Sequence, residues 1–318
     1  MSPMMARDRA SLSGGILLLL AATIATTLAD GVVKDLASRL QAPQVFFLSG
    51  ALMAGLSVLA AQTGRGLGVV VQGCLRTKRP GLLALRSLAT VVAAWGFFYA
   101  LAQIRLAEVF LFIGLMPLMS AFLSRAILGE GVGPAAWIGM AMGLAGLMML
   151  FPGGVSDISL GHLAGLVGAG AGTVSLVLSR LMARHEANTL VQVFYPNLAL
   201  AVSALLVLPT FWLPMSLADL ALILGYSGLL FLARWGMVLV MRRLPAPVAL
   251  PLMNIQFVWM VIVGLVFFGE RPDALTLSGA TLVMLAGVVA VSQQARVNRL
   301  AARAARGAQP GGAVIPAE

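Results

Sequence analysis

Apolar residues run along this chain in long blocks, and the breaks between blocks carry the turn formers and most of the charge. The blocks fall at 14–34, 43–62, 82–102, 107–127, 135–152, 160–182, 190–212, 217–240, 246–268 and 274–293. A helix of about 20 apolar residues crosses a bilayer core, so the pattern predicts ten spanning helices. The breaks read Arg76-Thr77-Lys78-Arg79-Pro80, Pro152-Gly153-Gly154, Arg184-His185-Glu186-Ala187-Asn188 and Pro272-Asp273. Gly66–Cys74 is also apolar but short, and reads as a loop or interfacial segment. Thr27-Leu28-Ala29 loosely resembles a signal-peptide cleavage site, but removing the first helix would leave nine and destroy the repeat described next.

The blocks repeat. Gly129-Glu130 and Gly139 recur 140 residues later as Gly269-Glu270 and Gly279. Ala94-Trp95-Gly96 returns as Arg234-Trp235-Gly236, and Gln44-Val45-Phe46-Phe47 is answered by Gln192-Val193-Phe194-Tyr195. The expected organisation is a cytoplasmic N-terminus (1–12), a first five-helix unit (13–152), a second (158–293) and a tail (294–318) that is basic and then disordered. Five is odd, so the second unit enters the membrane upside down. The fold class expected is all-α integral membrane, with ten helices in an inverted five-plus-five repeat. Such repeats are a mark of carriers, with the site near mid-membrane between the halves.

Composition agrees with this pattern. Hydrophobic residues make up 60% and charged residues 10%, against about 25% charged in a soluble domain. Net charge is +10. In a soluble protein that would point to nucleic acid; here the basic residues sort by side. With the N-terminus in the cytoplasm, fifteen Lys and Arg fall in inner segments and four in outer ones. That bias places both termini inside and implies no nucleic-acid partner. One cysteine and two distant histidines offer no metal centre or internal disulfide.

Several motifs resemble a known family. Leu101-Ala102, Leu106-Ala107-Glu108-Val109, Pro117-Leu118 and Leu128-Gly129-Glu130 are similar to the end of the first repeat in EamA-type transporters of the drug/metabolite transporter superfamily. Phe257-Val258-Trp259, Phe268-Gly269-Glu270, Pro272-Asp273 and Thr276-Leu277-Ser278-Gly279-Ala280 resemble the end of the second. The resemblance covers about 12–293. It implies a ten-helix secondary carrier of the inner membrane, an exporter of amino acids and related metabolites or an importer of riboflavin or S-adenosylmethionine. It does not pick the substrate.

Polar residues inside the blocks are the candidate site. A charge at mid-membrane costs about 2.5–3.5 kcal/mol on insertion scales, so it should face a cavity or a partner. Asp30 and Lys34, four apart in helix 1, are expected to form a local salt bridge or an outer gate. Glu108 opens helix 4 either as a gate residue or as a carboxylate beside Arg105. Arg86 and Arg234 have Tyr226 and Ala94 as repeat mates, so these charges are not symmetric, as a substrate is not. They are read as cavity residues or as arginines snorkelling to lipid phosphates. Trp95 and Tyr99 share one face of helix 3, and Trp235 stands on the related helix 8; these could stack on a planar ligand or simply pack. Asn254, Gln256 and Trp259 interrupt helix 9, where one amide lines the cavity and the other ties helices together. Glu130 and Glu270 are read as helix-end residues. Gly165, Gly168, Gly170 and Gly172 suit close helix packing.

No Walker loop, nucleophile elbow or Asp/His relay appears, so the expectation is a carrier without cofactor, not an enzyme. The expected partners are a small-molecule substrate and the bilayer, and a homodimer is compatible. The competing classes are a membrane-embedded lipid-modifying enzyme and a non-transporting scaffold.

Overall fold

Helix formation follows the apolar blocks. The computed structural model describes residues 3–62, 76–128, 134–152, 154–183, 191–243 and 252–289. Its helices are α1 (Pro3–Ala37), α2 (Ala42–Gln62), α3 (Pro80–Gln103), α4 (Leu106–Leu128), α5 (Pro134–Met148), α6 (Leu160–Ala183), α7 (Val191–Val207), α8 (Leu217–Arg243), α9 (Gln256–Phe268) and α10 (Ala274–Val289). Among the described residues there is no strand. Seven helices, α1 to α4 and α6 to α8, are long and apolar enough to cross a membrane. In α5, α9 and α10 the apolar stretches are shorter.

The boundaries differ from the sequence pattern where backbone chemistry intervenes. The block 246–268 is not one described helix. α9 begins only at Gln256, after a turn at Asn254-Ile255. Pro247 and Pro251 lack the N–H that a continuous helix would use there, and 244–251 lie outside the described residues. α7 ends at Val207 in a 3-10 turn containing Pro209. α5 stops at Met148, short of Pro152. The Gly66–Cys74 segment, Glu130 and the tail also lie outside the described residues.

Helix starts are specified locally. Ser216 and Asp219 form a capping box at α8: the Asp219 carboxylate accepts from Ser216 N–H at 3.0 Å, and Asp219 N–H donates to Ser216 Oγ at 3.1 Å. Asp273 caps α10 by accepting from Thr276 N–H at 2.7 Å. Ser159 and His162 make the analogous pair at α6, where Ser159 N–H donates to His162 Nδ1 at 3.0 Å.

Packing is most extensive for three helix pairs: α3 with α6, α1 with α8 and α2 with α7. α4 is the most enclosed span, with Phe110, Leu111, Phe112, Leu115 and Leu118 buried. Glycines allow the closest approaches. A Cβ on Gly96 of α3 would lie 2.8 Å from the Ala164 carbonyl of α6, and one on Gly146 of α5 would lie 2.5 Å from the Gly279 carbonyl of α10. Small residues at helix crossings of this kind are the usual device inside lipid, where burial of apolar surface provides little drive. The exterior is apolar to match, with Leu17, Leu206, Leu217 and Phe267 each more than half exposed.

Candidate functional site

Two polar assemblies stand out in this apolar bundle. The first closes the end of the bundle where α3 meets α4. Lys34 of α1 reaches across to that corner, and its ammonium donates to the carbonyls of Leu101 (3.0 Å) and Ile104 (2.6 Å) at the end of α3. It also pairs with Glu270 at 3.0 Å. An ammonium has three protons, so its donor capacity is filled. The second carboxylate oxygen of Glu270 accepts from Leu106 N–H at 3.0 Å, capping the first turn of α4. Glu270 is aimed there by Gly269, whose left-handed backbone (φ 64°) ends α9.

Arg105 pairs with Glu108 beside this hub and reaches Asp273 at 3.4 Å. Glu108 is buried and also meets His162 Nε2 at 3.3 Å. Because Ser159 N–H can only donate, His162 Nδ1 accepts; its proton then sits on Nε2, directed at Glu108. Lys34, Arg105, Glu108, His162 and Glu270 surround a cavity of about 380 Å³.

The geometry corrects one expectation. Asp30 and Lys34 do not pair with each other: Lys34 is committed to Glu270, and Asp30 turns to Gln256 of α9 at 3.5 Å. A residue one helical turn away offers a pairing worth only a few tenths of a kcal/mol. The hub gives Lys34 three buried acceptors instead.

The second assembly is a polar column deeper in the bundle, around Asp30, Gln256, Tyr226, Arg234 and Arg86. Tyr226 lies within electrostatic range of both Asp30 and Arg234. Arg234 in turn lies within range of Arg86. Arg86 donates to the backbone carbonyl of Gln192 on α7. The reason is four residues on: Pro196 has no N–H, so the Gln192 carbonyl lacks its helical donor. The Nε of Arg86 is buried and has no partner. Arg234 has accessible side-chain surface although protein surrounds it at longer range. Gln192 also accepts from Ser179 at 2.6 Å, and Thr90 meets Ser175 at 2.7 Å, so α3, α6 and α7 are laced together around Arg86.

The remaining candidates divide. Trp95 packs edge-on against Phe46 at 5.5 Å, while Tyr99 is 42% exposed. Asn254 donates to the Met284 carbonyl of α10 at 3.2 Å. Trp259 is half-buried, with an Nε1–H that has no partner. The side chain of Trp235 lies outside the described residues. Residues not expected in the site now carry much of the geometry: Glu270, read from sequence as a helix-end residue, with Gln192, His162 and Asp219, which pairs with Arg39 at 2.9 Å. Gln192 had a sequence signal, as the repeat mate of Gln44; Gln44 likewise ties helices, donating to the Leu213 carbonyl at 2.6 Å.

Comparison with known proteins agrees with this architecture. Residues 13–151 match the EamA-like transporter family. The chain is 26% identical over 281 residues to the pseudopaline exporter CntI of Pseudomonas aeruginosa, covering 86% of this chain and 95% of that protein. It is 26% identical over 214 residues to the S-adenosylmethionine uptake transporter of Rickettsia conorii (66% and 71% covered). It is 25% identical over 220 residues to the riboflavin transporter of Vibrio cholerae (68% and 72% covered). A solved crystal structure of a protein 24% identical superposes with a TM-score of 0.59 over 89% of this chain and 99% of that one, a shared fold. The chain is a multi-pass membrane protein of the transporter class. Within that class, residues 13–151 are similar to the EamA-like transporter family, and the relatives above are named as transporters.

Proposed function

We propose that this protein is a secondary carrier that moves a small organic metabolite across the inner membrane by alternating access. The observation that carries the reading is the polar column between the two sequence repeats, set in an otherwise apolar bundle. Arg86 and Asp30 come from the first repeat, and Tyr226, Arg234 and Gln256 from the second. Charges so placed are expensive, and a solute cavity is what they serve.

The pairing of helices supports an inverted repeat of ten spans, with units 13–152 and 158–293. Exchange the two units, so that α1 stands for α6 and α3 for α8. The α1–α8 contact then becomes α3–α6, α1–α9 becomes α4–α6, and α2–α8 becomes α3–α7. α2–α7 and α4–α9 map onto themselves. In this reading both termini are cytoplasmic and the Lys34 hub lies outside. The hub joins α1 and α4 of one unit to α6 and Glu270 of the other, so it acts as the outer gate, closed here. Asp30, Arg86, Tyr226, Arg234 and Gln256 line the path below it, with Trp95, Tyr99 and Trp259 as its aromatic walls. No nucleic acid takes part, and nothing in the reading requires a dimer.

The relatives are named for pseudopaline, S-adenosylmethionine and riboflavin, so the solute class is an organic metabolite of that kind. The test is reconstitution in lipid vesicles with labelled S-adenosylmethionine, riboflavin, aromatic amino acids and pseudopaline, in both directions. Saturable, protein-dependent movement of one of them is expected. Vesicles indistinguishable from empty ones across the whole panel would sink the carrier reading.

A further inference from the structure

We propose that Arg86 and Arg234 together form one oxyanion site, taking a carboxylate or phosphate group of the solute between them; this rests on the carrier reading above. The two guanidiniums come from different repeats, on α3 and α8, yet lie within repulsive range of each other. Among the described residues neither has a carboxylate partner within ion-pair distance, whereas Lys34 and Arg105 of the hub and Arg39 each have one. Arg86 is anchored by a single bond, from one terminal nitrogen to the Gln192 carbonyl. Its Nε–H is left without an acceptor. That is the arrangement of a guanidinium held by one corner with donors in hand for a planar two-oxygen acceptor. Arg234 has accessible side-chain surface.

Charge balance points the same way. The groups facing this pair are Tyr226 on α8, Asp30 on α1 and Gln256 on α9; α7 offers the Gln192 carbonyl and α6 the hydroxyls of Ser175 and Ser179. The single carboxylate, Asp30, is turned toward Gln256 and stands opposite Tyr226. Tyr226 and Arg234 are two helical turns apart on α8, about 12 Å at 1.5 Å per residue. The column therefore keeps a net positive charge at its Arg86 end, and an anionic group entering there completes it. Two like charges held together without a counter-charge are costly for an empty protein and useful to one that must recognise an anion.

The experiment uses the full chain purified in an uncharged detergent. Its unfolding temperature is followed while succinate or inorganic phosphate replaces chloride at constant ionic strength, and separately on adding phosphatidylglycerol. Wild type is expected to show a saturable rise with a soluble oxyanion. The rise should be lost in Arg234→Gln and reduced at least tenfold in apparent affinity in Arg86→Lys. The lysine keeps a donor for the Gln192 carbonyl, so a fold defect does not mask the result. Without ligand, Arg234→Gln should unfold no lower than wild type, since it removes a repulsion. No saturable rise in wild type, an equal rise in both variants, or a rise only with the anionic lipid would overturn the site. The last result would assign the arginines to lipid phosphates. These readouts need no transport, so a carrier that moves solute but shows no oxyanion binding fails this proposal alone, and vesicles that move nothing fail the carrier reading alone.

Discussion

Lys34 shows how a charge is made tolerable at the end of an apolar bundle: every proton it carries has an acceptor. Replacing it by Met removes the charge but leaves Glu270, whose side chain is only 11% exposed, without its cation. Breaking one side of a buried pair costs about 3 kcal/mol. The double variant Lys34→Met, Glu270→Gln should recover part of that loss, and a double-mutant cycle on unfolding free energies measures the coupling; additive losses would mean the pair is incidental. Asp273 gives a pH signature. Hydrogen bonds from the Thr276 backbone and side chain, with Arg105 near, hold its carboxyl below the usual 3.8. A depressed carboxyl stabilises the fold above its unfolded value and loses that contribution as pH falls through the folded one. Asp273→Ala should therefore cost about 1 kcal/mol at neutral pH, and the difference from wild type should vanish below about pH 3. A difference that persists in acid would assign the effect to packing.

At the scale of elements, glycines decide where helices touch. Gly96 and Gly225 are both helical, but a Cβ at Gly96 meets the α6 backbone, whereas at Gly225 it meets nothing within 4 Å. Gly96→Ala should destabilise by about 1–3 kcal/mol, as overpacking does. Gly225→Ala should be neutral or stabilise by about 0.5–1 kcal/mol, as loss of a helical glycine does. Matching effects at the two positions would contradict the α3–α6 crossing. The blocks made most of these helices legible, because about twenty apolar residues bounded by turn formers leave little choice. They failed at 246–268, where apolar composition hides the turn at Asn254-Ile255. Arg105–Glu108 was legible because three residues separate the pair on one helix turn. Lys34–Glu270 was not, because it joins opposite ends of the chain and only the fold brings them together. The Arg86 bond to Gln192 needs two facts that no local pattern links: an arginine on α3 and a proline that strips a donor from α7.

For the whole molecule the governing question is which way the chain threads the membrane. Positive charge is the sequence's evidence, fifteen Lys and Arg against four when alternate connections are assigned to opposite sides. The exchange symmetry of the helix contacts is independent of charge, and it requires an odd number of spans per repeat if the two units are antiparallel. The seven long apolar helices alone cannot distinguish this, since the shorter α5, α9 and α10 decide the parity. α5 and α10 cross at Gly146 and Gly279, and the proposed ten-span reading takes them as the fifth helix of each repeat. Topology reporters fused after Arg79, Arg184, Arg243 and Arg306 should therefore read cytoplasmic, and those after Arg39, Gly154 and Pro272 external. The informative pair is Arg79 against Gly154: α3, α4 and α5 lie between them, and they read oppositely only if α5 spans. If α5 did not span, every reporter from Gly154 onward, Arg306 included, would invert while those before α5 held. That single pattern would abolish the antiparallel relation and, with it, a site between two halves that rock in opposite senses.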